Sequence, residues 1–254
     1  MSHPCHAHVL GYRPERLGTL SCQSAFASLF PLQQIAGRKL VDFELARHHM
    51  VENQVRAGGV TDLNILSSML RVPRELFLPA DAQATAYTDN LQKLGAERFV
   101  LAPSSLAKLL RLAAIQKTDT VLDIGAGTGY STAVIAGLAL NVTSVEVDTD
   151  LVAAGAEALA GLEVENARLI AGDINTLPAG SFDVIIIEGR VDAIPEALLA
   201  RLNDAGRLVA VLAVGAVPTA HVYVKNGAKV SSRQEYYLSL PPLDASPKAA
   251  EFVL

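Results

Sequence analysis

An α/β fold built on a doubly wound, mostly parallel sheet is what this sequence predicts, on three observations. From about residue 117 onward, short β-branched apolar runs alternate with segments of helical period. One of those runs, Val121-Leu122-Asp123-Ile124, feeds directly into a turn with glycine at 125, 127 and 129, the place where open α/β sheets hold their ligands. Near the end, two strand-like segments flank Asn226-Gly227, a dipeptide suited to a tight hairpin turn.

Residues 1–40 stand apart, with a Cys/His-rich start (His3, Cys5, His6, His8), Pro4 and Pro14, scattered charge, and a short apolar run ending at Pro31. Charge and apolar residues come in the wrong order for a secretory signal. The stretch is expected to be a poorly ordered extension or a mis-assigned start, with the working chain beginning near Val41.

Residues 41–116 read as a helical cap. Asp42–Val55 has helical character, and Thr61-Asp62 caps a second helix whose Leu63, Leu66 and Leu70 recur on one face. Pro73 and Pro79 bracket a short piece, Arg74–Leu78, and Pro103-Ser104-Ser105 opens a third helix carrying Leu106, Leu109, Leu110 and Ala113. Strands are expected at Thr120–Ile124, Val142–Val147, Ala167–Ala171, Phe182–Ile187 and Arg207–Leu212. Between them come helices Tyr130–Leu140, Asp150–Leu159 and Ile194–Leu202, and an antiparallel hairpin of His221–Lys225 with Lys229–Leu238 closes the pattern. Residues 117–254 thus form the α/β domain, and 41–254 together one compact unit.

Composition narrows the class. The 254 residues are 50% hydrophobic and 19% charged, which excludes intrinsic disorder. A net charge of −5 argues against nucleic acid as the main partner, since backbone phosphates call for clustered Lys and Arg. Apolar stretches such as Ala133–Leu140 are too short to span a membrane. Both cysteines, Cys5 and Cys22, lie near the start, so the later core holds no disulfide framework and the chain fits a reducing cytoplasm.

The loop Asp123-Ile124-Gly125-Ala126-Gly127-Thr128-Gly129-Tyr130 carries the most information. Glycines let backbone approach a ligand closely at the end of the first strand. A dinucleotide fingerprint would need its third glycine at position 130, where Tyr130 stands, and no Lys-Ser/Thr pair follows to cradle phosphates. Acidic residues complete the pattern. Glu146, followed by Val147 at the next strand end, can accept both hydroxyls of a ribose. Asp173 can accept from an adenine amino group with Ile174 against the ring, and Asp123 can hold an amino group. Together they suit a nucleoside bearing a sulfonium and an amino acid rather than a pyrophosphate.

These residues, with the Phe182–Ile187 strand, resemble the motifs of class I S-adenosylmethionine-dependent methyltransferases. The upstream pieces Met50–Arg56, Val72–Pro79 and Ala86-Tyr87-Thr88-Asp89, and the downstream Ile194–Leu199 and Gly206–Val209, are similar to the protein-L-isoaspartate O-methyltransferase family. That resemblance implies S-adenosylmethionine as cofactor. It also implies repair of aged proteins by methylation of isoaspartyl carboxylates.

The acceptor half departs from the family. Where the family runs Gly-Gln-Thr-Ile-Ser-x-Pro, this chain has Glu97-Arg98-Phe99-Val100-Leu101-Ala102-Pro103, so the serine near the transfer site becomes Leu101. After the fourth strand, Glu188-Gly189-Arg190 replaces small neutral residues. Arg98 is then either a carboxylate clamp or a solvated surface residue. Glu188 either stabilises the cofactor's charge, acts as a base, or caps the following loop from the surface. Ser104 either contacts the methionine carboxylate or caps its own helix. The acceptor is expected to be a protein or peptide carboxylate, with a small molecule, or a binding module without isoaspartyl activity, as the alternatives. Methyl transfer from a sulfonium needs no metal, and the His3/Cys5/His6/His8 tract lacks a second cluster at metal-ligand spacing.

Overall fold

A computed structural model describes residues 41–95, 98–213 and 217–243. Val41–Leu254 forms one compact unit. The Cys/His tract and both cysteines lie outside the described residues, as does most of the chain end.

The N-terminal part begins with α1 (Phe43–Met50), whose N-cap Asp42 accepts from the Leu45 N–H, and which runs on into a π-helical turn at Val51–Arg56. Asp62 caps α2 (Leu63–Arg71) in the same way. The segment between Pro73 and Pro79 is a 3-10 turn, Arg74–Phe77. A small antiparallel pair, β1 (Gln92–Lys93) with β2 (Phe99–Val100), was not anticipated in a region read as helical. Two-residue strands are below what alternation can signal. Pro103 opens α3 (Pro103–Ala113), and Ala114 ends it in the left-handed region at φ 46°.

The sheet has the order β5-β4-β3-β6-β7-β8-β9. Its parallel part comprises β3 (Thr120–Ile124), β4 (Asn141–Glu146), β5 (Ala167–Ala171), β6 (Phe182–Val191) and β7 (Leu202–Leu212). β8 (Thr219–Asn226) and β9 (Lys229–Tyr237) add antiparallel, turning at Gly227 with φ 59°. The helices are α4 (Tyr130–Ala136), α5 (Thr149–Gly161) and α6 (Glu196–Ala200). Two helices are shorter than expected: α4 stops before Gly137, and α6 starts only after Pro195.

Strand alternation sorts the core. Val184 and Ile186 pack with Val121, Phe77 and Leu110 on one face, while Ile185 and Ile187 pack with Leu122, Ile124 and Leu208 on the other. Both faces are covered, which is why β6 reads as an unbroken β-branched run. β6 continues past Ile187 through a register shift between Ile186 and Arg190, so Glu188-Gly189 sits in an irregularity of the central strand. Such bulges re-aim side chains near functional sites. Among the described residues no helix is long and apolar enough to cross a membrane.

Candidate functional site

The turn after β3 is held by backbone. The Gly125 and Ala126 N–H groups donate to the Val145 carbonyl at 2.9 and 3.3 Å, and the Gly129 N–H donates to Ala126 O at 2.9 Å. Gly125, Gly127 and Gly129 have φ of 84°, 57° and 84°, a left-handed region that a side chain disfavours. α5 crosses close behind, where a β-carbon on Gly155 would meet the Thr128 carbonyl oxygen at 2.6 Å.

Around this loop lies a cleft of about 240 Å³ lined by Gly125, Glu146, Val147, Gly172, Asp173, Ile174, Arg98 and Leu243, among others. Asp173 folds its own turn: Oδ1 accepts from the Asn175 and Thr176 N–H groups and the Thr176 hydroxyl. Those hydrogen bonds, led by that of the Thr176 side chain, hold its carboxyl below the usual carboxylate range.

Glu146 is fully buried and fully engaged. Its Oε1 accepts from the Val147 and Asp148 N–H groups at 2.9 and 3.2 Å. Oε2 accepts from Gly127 N–H at 2.8 Å and from Arg98 Nε and Nη2 at 3.1 and 2.6 Å. The Arg98 fork is therefore a carboxylate clamp, and the carboxylate it clamps belongs to this chain; the solvated alternative does not apply. Nη1 of the same guanidinium donates to Leu243 O at 2.8 Å.

Asp123 and Glu188 meet beneath the loop. Asp123 pairs in register with Ile186, and Glu188 follows on the same face. Asp123 Oδ2 accepts from the Ser131 and Ser144 hydroxyls at 3.0 and 3.2 Å. Asp123 Oδ1 and Glu188 Oε1 are buried with no hydrogen-bond partner among the described residues. Two buried carboxyl groups that interact this way disfavour ionising together. Burial pushes Asp123 up to about 6, and burial followed by the Asp123 charge pushes Glu188 well above its ordinary value. Burial thus favours the neutral form of the Glu188 carboxyl, and its position inside the molecule is not that of a surface cap.

The structure does not bring Ser104 into the cleft. It sits in the first turn of α3, its N–H donating to Asp89 Oδ1 at 3.0 Å; the N-cap is Ala102, without a side-chain cap, so Ser104 does not cap the helix either. Leu101 is buried in the core, and its carbonyl accepts from Arg74 Nη2 at 2.7 Å. Leu243 escaped sequence reasoning altogether, because nothing local links position 243 to a loop at 125. No group of three His, Cys, Asp or Glu among the described residues is placed to hold a metal ion.

Comparison with known proteins places this geometry. Residues 45–243 match the profile of the protein-L-isoaspartate(D-aspartate) O-methyltransferase family. The chain belongs to that family. A protein-L-isoaspartate O-methyltransferase of Burkholderia vietnamiensis is 38% identical over 69% of this chain and 57% of its own length. One from Methanoculleus marisnigri is 35% identical over 65% of this chain and 76% of its own length. The chain thus spans little more than half of the Burkholderia protein and about three quarters of the archaeal one. A Plasmodium falciparum protein described as a protein-L-isoaspartate O-methyltransferase, solved in complex with S-adenosyl-L-homocysteine, shares the fold. It superposes with a TM-score of 0.69 at 20% identity, covering 78% of this chain and 98% of that one. The family fold is the sheet and loop described above.

Proposed function

We propose that this chain is a cytoplasmic S-adenosylmethionine-dependent methyltransferase whose acceptor is a protein carboxylate, that of isoaspartyl residues in damaged proteins. One observation carries the reading: three carboxylates, Asp123, Glu146 and Asp173, end adjacent parallel strands around a left-handed glycine loop in a chain of this family. These acceptor carboxylates suit the cofactor's ribose hydroxyls, adenine amino group and ammonium. The present space is tight, because Arg98 and Leu243 lie against Gly125 at the mouth of the cleft. When bound, S-adenosylmethionine supplies an electrophilic methyl group on sulfur.

On this reading Glu146 accepts from the ribose hydroxyls, Asp173 with Ile174 receives the adenine, and Asp123 faces the ammonium. Gly125, Ala126, Gly127 and Gly129 bring backbone close, and Val147 walls the cleft. An acceptor carboxylate is already ionised at neutral pH, so no base is required. The protein's work is to exclude water and align the acceptor. Once released from Glu146, Arg98 is the candidate clamp for that acceptor, and Glu188, buried beneath the loop, the candidate acid that supports the site from below.

A second reading, methylation of a different acceptor, is favoured by Leu101 standing where the family resemblance puts a serine. A labelled-methyl assay on an isoaspartyl peptide beside its aspartyl twin separates the two. Transfer to the isoaspartyl peptide alone is expected. Transfer to neither, from protein that binds the cofactor, would sink the isoaspartyl reading.

A further inference from the structure

We infer that Arg98 is an intramolecular ligand of the ribose site and thereby a determinant of nucleoside affinity. The inference rests on the proposed function, and goes beyond it in naming what the nucleoside must displace.

The first argument is acceptor capacity. A carboxylate offers about four lone-pair sites. Glu146 already accepts three backbone N–H groups and two guanidinium nitrogens. The backbone donors belong to the loop and strand end themselves, so they stay. Arg98 is the exchangeable partner, and ribose hydroxyls reach Glu146 only by replacing it.

The second argument is space. A β-carbon on Gly125 would meet Leu243 Cδ1 at 2.5 Å and Arg98 Nη2 at 2.9 Å, so the backbone left bare by this glycine is already covered. Leu243 is held there by main chain: its N–H donates to Arg190 O at 2.9 Å, and the Arg190 N–H donates to Pro241 O at 2.8 Å. Arg98 Nη1 secures the same segment through Leu243 O. One guanidinium therefore ties the ribose carboxylate to the strand segment that covers the loop. The pair is largely desolvated, with the Arg98 and Glu146 side chains 12% and 0% exposed. Breaking it costs more than breaking a surface pair.

Affinity is thus set by exchange. A nucleoside gains its contacts to Glu146 and gives back those of Arg98, so removing Arg98 tightens binding instead of weakening it. A charge-assisted pair of this kind corresponds to roughly a tenfold to hundredfold change in Kd.

Calorimetric titration of S-adenosylhomocysteine into the full chain tests this, with wild type, R98Q, R98K, E146Q and the R98Q/E146Q double variant. Far-UV circular dichroism checks each fold. R98Q is expected to bind tenfold to hundredfold more tightly than wild type, and R98K, which loses the fork, by a smaller factor. Adding R98Q to E146Q should then give no gain, because the competition runs through Glu146. Wild type that binds while folded R98Q binds equally or more weakly overturns the inference and leaves the methyltransferase reading standing. R98K serves as the test if R98Q does not fold: no gain there overturns the inference. Absence of binding in wild type and both Arg98 variants overturns the methyltransferase reading and this inference with it.

Discussion

Replacing Gly155 with alanine should destabilise the protein, whereas the same replacement at Gly161, in the same helix, should stabilise it. Alanine is favoured over glycine inside a helix by about 1 kcal/mol, and by less at a helix end. At Gly161, the last residue of α5, an added β-carbon meets nothing within 4 Å, so a gain of about 0.5 kcal/mol is expected. At Gly155 the β-carbon would lie 2.6 Å from Thr128 O, 2.9 Å from Thr128 C and 2.5 Å from Leu169 Cδ2. Leu169 can turn aside, but the Thr128 backbone cannot without moving the glycine loop. Overpacking costs about 1–3 kcal/mol, and against immobile backbone the upper part of that range applies, about 2–3 kcal/mol, which outweighs the helical gain and leaves a net loss of about 1–2 kcal/mol. The two variants then differ by about 2 kcal/mol. With a urea m-value of about 2 kcal/mol per molar, their midpoints separate by about 1 M. Urea melts followed by circular dichroism read this directly. A Gly155→Ala midpoint at or above that of wild type would refute the close approach of α5 to the loop. Because Thr128 belongs to that loop, the same variant should also bind S-adenosylhomocysteine more weakly.

Two further outcomes follow from the geometry. Asp123, ordinarily at 3.8, is raised by burial to about 6, so the folded protein binds this proton more tightly than the unfolded chain. That stability is fully present below pH 3.8 and is lost as pH rises through about 6, a loss on the order of 3 kcal/mol. Asp123→Asn should remove this component from the fall in urea midpoint between pH 5 and 7.5; an identical slope in both proteins would contradict it. Ala114 ends α3 at φ 46°, where an L side chain is strained. Ala114→Gly should therefore stabilise the protein by about 0.5–1 kcal/mol, net of the glycine's greater unfolded-state freedom, and a lower urea midpoint would count against the left-handed cap.

The parts of the site that were legible in the sequence are those written in local code. A β-branched run, then glycines at alternate positions, then an acid at the end of each following strand, can be read along the chain because the strand–turn–helix unit is local. Period-2 alternation even places Asp123 and Glu188 on one face once their strands are neighbours, and the structure adds that they touch. Asn226-Gly227 announced its hairpin for the same reason. β1 and β2 have no signal in the sequence because two residues carry no period, and α6 is shorter than its periodicity suggests, its start set by Pro195.

By itself, then, the sequence determined the sheet, the loop and the identity of the acids, since each follows from propensity and spacing within a few dozen residues. Only the tertiary structure decided which groups those acids meet. Arg98 reads equally as a clamp or a solvated charge until β2 sets its guanidinium on Glu146, 48 positions away. Leu243 has no signal at all until the main chain past β9 pairs with Arg190 and lays it over Gly125, 145 positions from the Arg98 that holds its carbonyl. Burial depends on such long-range contacts, and burial beside Asp123 is what raises the Glu188 carboxyl well above its ordinary value.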